Sequence, residues 1–195
     1  MHVVAHSLPI TIDSLSRTRG FTLVEVLVAT TMLVVGVGTL ASLSTMASHA
    51  NVAARTTTRV SLLATQKMEQ LRALTWGYDA LGGPISDTTT DLTVFPPATG
   101  SGVGLSTAPA GALSRNTAGY CDFLDAAGTP LGGGTTTPVQ SEFVRRWSVD
   151  PLPSNPANAL VLQVLVLRAH RPAAANARPL PDEAGYVTVM TRKGT

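Results

Sequence analysis

The chain has 195 residues, enough for one domain plus an accessory segment. Its net charge is only +2, with 13% charged residues, and the adjacent basic pairs are limited to Arg145-Arg146 and Arg192-Lys193. Neither pair has the interleaved aromatics of a single-strand binding groove, so no nucleic-acid partner is expected. Cys121 is the only cysteine. An intramolecular disulfide is therefore excluded, and any folded domain must rely on its core.

Residues 1–20 are polar to mixed and end in "SRTRG". An apolar run follows over 21–48, and within it Glu25 is the only charged residue. A carboxylate at the centre of a membrane helix costs roughly 2.5–3.5 kcal/mol on insertion scales, so such a residue calls for a function and a partner. Residues 49–76 are polar with helical spacing. Val60, Leu63, Ala64, Met68, Leu71 and Leu74 share one arc of the helical wheel, with Arg55, Arg59, Gln66 and Glu69 outside it and Lys67 intruding on it. No proline occurs between Pro9 and Pro84. One continuous helix from about Phe21 to Trp76 is predicted, roughly 80 Å long at ~1.5 Å per residue. Gly36 and Gly38 are its weak point, each costing about 1 kcal/mol against alanine.

From Gly77 to Pro138 the sequence is rich in turn formers, as in "GGPISDTTTD", "FPPATGSGVG" and "GTPLGGGTTTP". Short strands are expected inside it around Leu92–Phe95 and Tyr120–Leu124. Three later segments read as strands. "SEFVRRWSV" (141–149) places Phe143, Trp147 and Val149 on one face, with Arg145 as the exception. "ALVLQVLVLRAH" (159–170) is a nearly continuous valine and leucine run, and "GYVTVMTR" (185–192) alternates Tyr186, Thr188 and Met190 against Val187 and Val189. Turn-rich links between these segments point to an antiparallel meander over 139–195. The amphipathic half of the helix is the natural cover for one face of that sheet, which gives an α+β domain over 49–195.

Four readings of the apolar run compete. A cleaved signal peptide ending near "SHA" (48–50) would have an apolar region of 7–15 residues without an acid in it. A plain membrane anchor fits the length, which exceeds the ~20 residues needed to span. It leaves Glu25 unexplained, and basic residues on both sides (Arg17 and Arg19, Arg55 and Arg59) do not set orientation. A buried core helix fails because the remaining chain is too small to surround the run.

The fourth reading rests on "RTRGFTLVEVLVAT" (17–30). This stretch resembles the processing site of type IV pilins and type II secretion pseudopilins. The resemblance is tight over 17–45 and architectural beyond. It implies a leader over 1–20 that prepilin peptidase removes by cutting between Gly20 and Phe21, with N-methylation of Phe21. It implies a transmembrane or filament-core helix half over 21–48 and a periplasmic domain over 49–195. The partners implied are the peptidase, other pilin or pseudopilin subunits and, before assembly, the inner membrane.

The role implied for Glu25 is to pair with the amino terminus of a neighbouring subunit. A new α-amino group at Phe21 is a cation at neutral pH, with a reference pKa near ~7.7–8.0. Pairing neutralises two charges that are costly in an apolar environment, whereas leaving one unpaired costs roughly 3–5 kcal/mol. The chain lacks the proline that major pilins often carry near the position of Ser42, and it lacks a C-terminal cysteine pair. Both absences point to a minor subunit, most like the type IV pilus modification class, which primes assembly or sits at the tip.

No catalytic, cofactor-binding or metal residues are nominated, and the resemblance implies a structural protein. Asp79, Asp87, Asp91, Asp122 and Asp125 read as solvated loop carboxylates, because no D-x-D-x-D-G spacing occurs. His170 reads as a surface histidine at a strand end, without a second ligand nearby. No G-x-S-x-G occurs. "GGG" at 132–134 lacks the Lys-Ser/Thr of a phosphate loop. Cys121 reads as a buried or semi-buried thiol, with an intermolecular disulfide as the lesser alternative. Trp76 and Trp147 read as core or edge aromatics.

Overall fold

The computed structural model describes residues 20–170 and 183–193. The expected leader, Gly20 apart, and the turn-rich link at 171–182 lie outside the described residues. The chain divides into two compact units, Met1–Ala47 and Ser48–Thr195. One helix, α1 (Leu23–Ala73), contributes to both.

In the first unit every described residue is exposed, from Phe21 through Val35 to Met46. The helix there is long and apolar enough to cross a membrane. Five of its hydroxyl side chains bond back onto the helix itself. The hydroxyls of Thr30, Thr31, Thr39, Ser42 and Thr45 donate to carbonyls three or four residues back at 2.7–3.2 Å. A hydroxyl bonded in this way carries little of the cost it would have unpaired in hydrocarbon.

The second unit, the head, is an α+β domain. Its sheet has the order β4-β3-β5-β6-β7 and every neighbouring pair is antiparallel. The strands are β3 (Cys121–Leu124), β4 (Pro130–Gly133), β5 (Phe143–Pro151), β6 (Ala159–Arg168) and β7 (Ala184–Thr191). The expected meander is β5-β6-β7. The second half of α1 covers one face. Val60, Leu63, Ala64, Met68 and Leu71 join Phe143, Trp147 and Val149 of β5 and Leu160, Leu162, Val164 and Val166 of β6 in one core. The period-two faces and the helical arc therefore meet as the spacing requires.

Four expectations need correction. The helix ends at Ala73, where Leu74 N turns back to Leu71 O at 3.3 Å, and Trp76 instead opens a small hairpin of β1 (Trp76–Tyr78) and β2 (Pro84–Ser86). Residues 92–95 form no strand. Pro96 and Pro97 lack donors to continue a ladder, and the segment closes on itself through mutual backbone bonds between Asp91 and Ala98. Conversely, "PLGG" (130–133) does form a strand within the turn-rich middle, because it folds back on β3 around the Asp125–Thr129 turn. His170 lies two residues beyond the end of β6, in a turn.

Arg192 fastens the hairpin to the sheet. Its guanidinium stacks 3.5 Å from the centroid of Trp76 and donates to the carbonyls of Gly77 (3.1 Å), Ile85 (2.9 Å) and Ala157 (2.8 Å). Its backbone N donates to Asn158 O at 2.8 Å.

Candidate functional site

The segment from Gly20 to Glu25 is built by a helix start. Gly20, Phe21 and Thr22 precede α1. Thr22 is the N-cap: its Oγ1 accepts the amide of Glu25 at 3.2 Å, and its carbonyl accepts Val26 N at 3.2 Å. Thr22-Leu23-Val24-Glu25 is thus a T-x-x-E sequence, with the acid at the third helical position. A carboxylate in the first turn is favoured by the free amides and partial positive charge there. Phe21 and Glu25 are exposed, and a Cβ added at Gly20 would meet nothing within 4 Å. Among the described residues no cation pairs with the Glu25 carboxylate. The sequence reading named Gly20, Phe21 and Glu25. Thr22 as the cap was missed there, although the T-x-x-E spacing was available to find it.

The head holds charges of a different kind. Asp122 is 1% exposed and lies in β3, so it is no solvated loop carboxylate. Arg145, its cross-strand partner on β5, grips it with two bonds, Nε to Oδ1 at 2.8 Å and Nη2 to Oδ2 at 2.7 Å. Lys67 of α1 reaches Asp122 Oδ2 at 2.8 Å and Leu92 O at 2.5 Å, and its Nζ sits 4.4 Å from the centroid of the Trp147 ring. Gln66 Oε1 accepts a further bond from Arg145 Nη1 at 3.1 Å. Burial pulls the Lys67 ammonium down to about 8, outweighing the attraction of Asp122, and the Arg145 charge pushes the same way. The two residues that spoiled the apolar patterns of helix and strand are therefore one structure. Each is a cation, and they share a carboxylate.

The other four aspartates expected in loops cap turns. Asp79 accepts the amides of Leu81 and Gly83, Asp87 those of Thr89 and Thr90, Asp91 that of Thr93, and Asp125 those of Ala127 and Thr129. Among the described residues no group of three or more His, Cys, Asp or Glu side chains is placed to hold a metal. Cys121 is fully buried and donates to Gly134 O at 2.8 Å, and burial pushes its thiol up, which keeps it protonated. Arg146, on the opposite face from Arg145, forks onto Asn116 Oδ1 at 3.0 and 2.9 Å.

Residues 15–41 match the family model described as the prokaryotic N-terminal methylation motif. No curated protein and no solved structure matches the chain significantly. The matched stretch holds Gly20, the Thr22 cap and Glu25, and it leads into α1, which is long and apolar enough to cross a membrane. The chain thus carries the N-terminal signal of type IV pilins and pseudopilins, on a long helix whose second half packs against an antiparallel sheet, an α+β arrangement consistent with a pilin fold.

Proposed function

We propose that the protein is a minor structural subunit of a type IV pilus or a type II secretion-like filament. In this reading prepilin peptidase cuts between Gly20 and Phe21, and Phe21 becomes the methylated first residue. The helix half over 21–48 holds the protein in the inner membrane, with the head over 49–195 on the periplasmic side, until the subunit enters a filament and primes it or occupies its tip. It acts as a substrate of the peptidase and as a building block, not as an enzyme.

The observation that carries this reading is Glu25. It is the only charged residue between Phe21 and Ser48, it is exposed, and it lies one helical turn from the amino group that cleavage would create. A plain anchor has no use for that carboxylate, since removing it would ease insertion. A subunit that pairs it with a neighbour's amino terminus gains a registry device. Only the axial offset that brings the two charges together avoids an unpaired charge.

Mass spectrometry of the membrane-associated N-terminus, with the cognate peptidase present and absent, is the test. A chain beginning at N-methyl-Phe21 only when the peptidase is present is the expected result, and a bulky residue at position 20 should block it. An intact Met1 start, or a start near Asn51, would overturn the reading. Assembly is read separately: Glu25→Ala should leave the protein processed and membrane-bound but absent from filaments.

A further inference from the structure

The sheet face away from α1 is only partly filled. Cys121, Phe123, Val144 and Leu167 pack together on it, and Arg146 beside them forks onto Asn116. Farther along β5 the strand no longer has β3 as a neighbour, because their pairing stops at Arg146. The chain over 105–116 passes there instead and is held at three points. Ala108 N donates to Val149 O at 2.9 Å, the Tyr120 hydroxyl to Ser106 O at 3.0 Å, and Arg146 Nη1 to Leu113 O at 3.3 Å.

Between this segment and the sheet lies a groove of ≈ 310 Å³, lined by residues 109–114 on one side and by Ser148, Asp150 and Gln163 on the other. That is the small end of the range of ligand pockets, roughly 300–1,000 Å³. The register sets Ser148 opposite Gln163, and Asp150 follows two residues on, so the three side chains share one face. Ser148 is 6% exposed and its hydroxyl has no partner, a cost that calls for an explanation. Among the described residues neither Asp150 nor Gln163 makes a side-chain hydrogen bond or an ion pair. The neighbouring guanidinium groups are engaged elsewhere, Arg115 on Ala110 O at 2.7 Å and Arg146 on Asn116. No cation lines the groove, and Pro109, Ala110, Ala112 and Leu113 make its far wall apolar.

One negative charge, two further acceptors and an apolar wall are what a guanidinium on an aliphatic stem requires. Its planar fork can give two parallel N–H bonds to a carboxylate and a third to an amide oxygen. Its methylene stem lies favourably along apolar side chains. A lysine ammonium is a point charge without that fork. We propose that this groove binds an arginine side chain presented by a partner protein. Asp150 takes the charge, Gln163 takes a further N–H, and the 109–114 wall takes the stem. The free amino acid suits the groove less well, because its α-carboxylate meets no cation among the lining residues. Inside a peptide that carboxylate is gone.

The probe is the peptide GGRGG with both ends blocked, added to the full-length protein in detergent micelles. One control carries citrulline, the uncharged analogue, in place of arginine, and another is free arginine. Amide chemical shifts read by NMR give both affinity and place. The expected result is saturable shifts confined to 109–114, 148–150 and 163, with the arginine peptide bound more tightly than either control. Binding should weaken about tenfold in Asp150→Asn and about threefold in Gln163→Leu, with melting temperatures showing that both variants remain folded. No saturable shifts, equal binding of the citrulline peptide, or binding unaffected by Asp150→Asn would overturn the proposal. Tighter binding of free arginine would also overturn it, by assigning the groove to a small molecule. So would shifts of the same amides with rising protein concentration and no peptide, by assigning it to a second copy. The proposal stands apart from the filament reading, since Glu25→Ala, which tests that reading, should leave peptide binding unchanged.

Discussion

The apolar half of α1 and the core of the head each hold charge where charge is expensive, and they handle it in opposite ways. In the head, Lys67, Asp122 and Arg145 come from three different elements and are 0%, 1% and 2% exposed. Each finds its partner within the same chain. In the apolar half Glu25 has no such partner among the described residues. A charge completed inside the chain reports on the fold. A charge left incomplete in an apolar run reports on what the chain must meet. The same cost of desolvation thus marks a structural clamp in one region and, under the proposed function, an assembly contact in the other.

The largest test of this contrast is Asp122→Ala, which leaves two buried cations facing each other. It should cost roughly 3–5 kcal/mol of head stability, read by denaturant titration with circular dichroism. A loss below ~1 kcal/mol would show that the cluster is not the clamp described. Next comes pH. Lys67 titrates near 8 in the folded head and near its ordinary 10.5 in the unfolded chain, so the unfolded state binds its proton more tightly. Head stability should therefore rise with pH across that window, by on the order of 3 kcal/mol from this group. Burial holds the Cys121 thiol and the Tyr120 hydroxyl above their usual ranges and works against the rise. The clean readout is the difference between wild type and Lys67→Met, in which the rise should vanish. A parallel pair of curves would sink the assignment.

Smaller effects sharpen the other side. Thr22→Ala removes the cap of α1 and should loosen its first turn by ~1 kcal/mol. Faster amide exchange over residues 23–26 in micelles would show this, with head melting unmoved. Glu25→Ala should likewise leave head stability within ~0.5 kcal/mol while abolishing assembly. A head destabilised by more than that would mean Glu25 belongs to the fold after all. At the bottom of the scale, Arg72 and Glu69 form an exposed pair at 3.2 Å, 54% and 62% accessible. Arg72→Ala should change stability by ~0.5 kcal/mol or less, and that is measurable only by a double-mutant cycle.

Much of this was legible in the sequence because it rests on local periodicity. The arc from Val60 to Leu71 and the alternation in β5 and β6 each name their own buried face. Lys67 and Arg145 were visible as exceptions. Their common partner was not, because Asp122 lies 55 residues from Lys67 in a stretch of glycines and prolines, where spacing says nothing about burial. The same stretch hid β4, whose two glycines carry no strand preference. Around Leu92–Phe95 apolar content imitated a strand that the following prolines forbid. The segment from Gly20 to Glu25 was legible for a different reason: a local signal of fixed spacing, independent of tertiary contacts.

Arg192 sets an order of events during synthesis. Its Nη1 bonds the carbonyl of Gly77 across 115 positions of sequence. The β1–β2 hairpin emerges just after α1, yet the guanidinium that stacks on Trp76 and gathers the carbonyls of Gly77 and Ile85 arrives only after β7 has been made. A nascent chain moving N-terminus first therefore carries an unfastened hairpin for most of its translation. Chains cut short before residue 192 should keep the apolar helix and lose the closure of the head. This couples closure of the head to completion of β7.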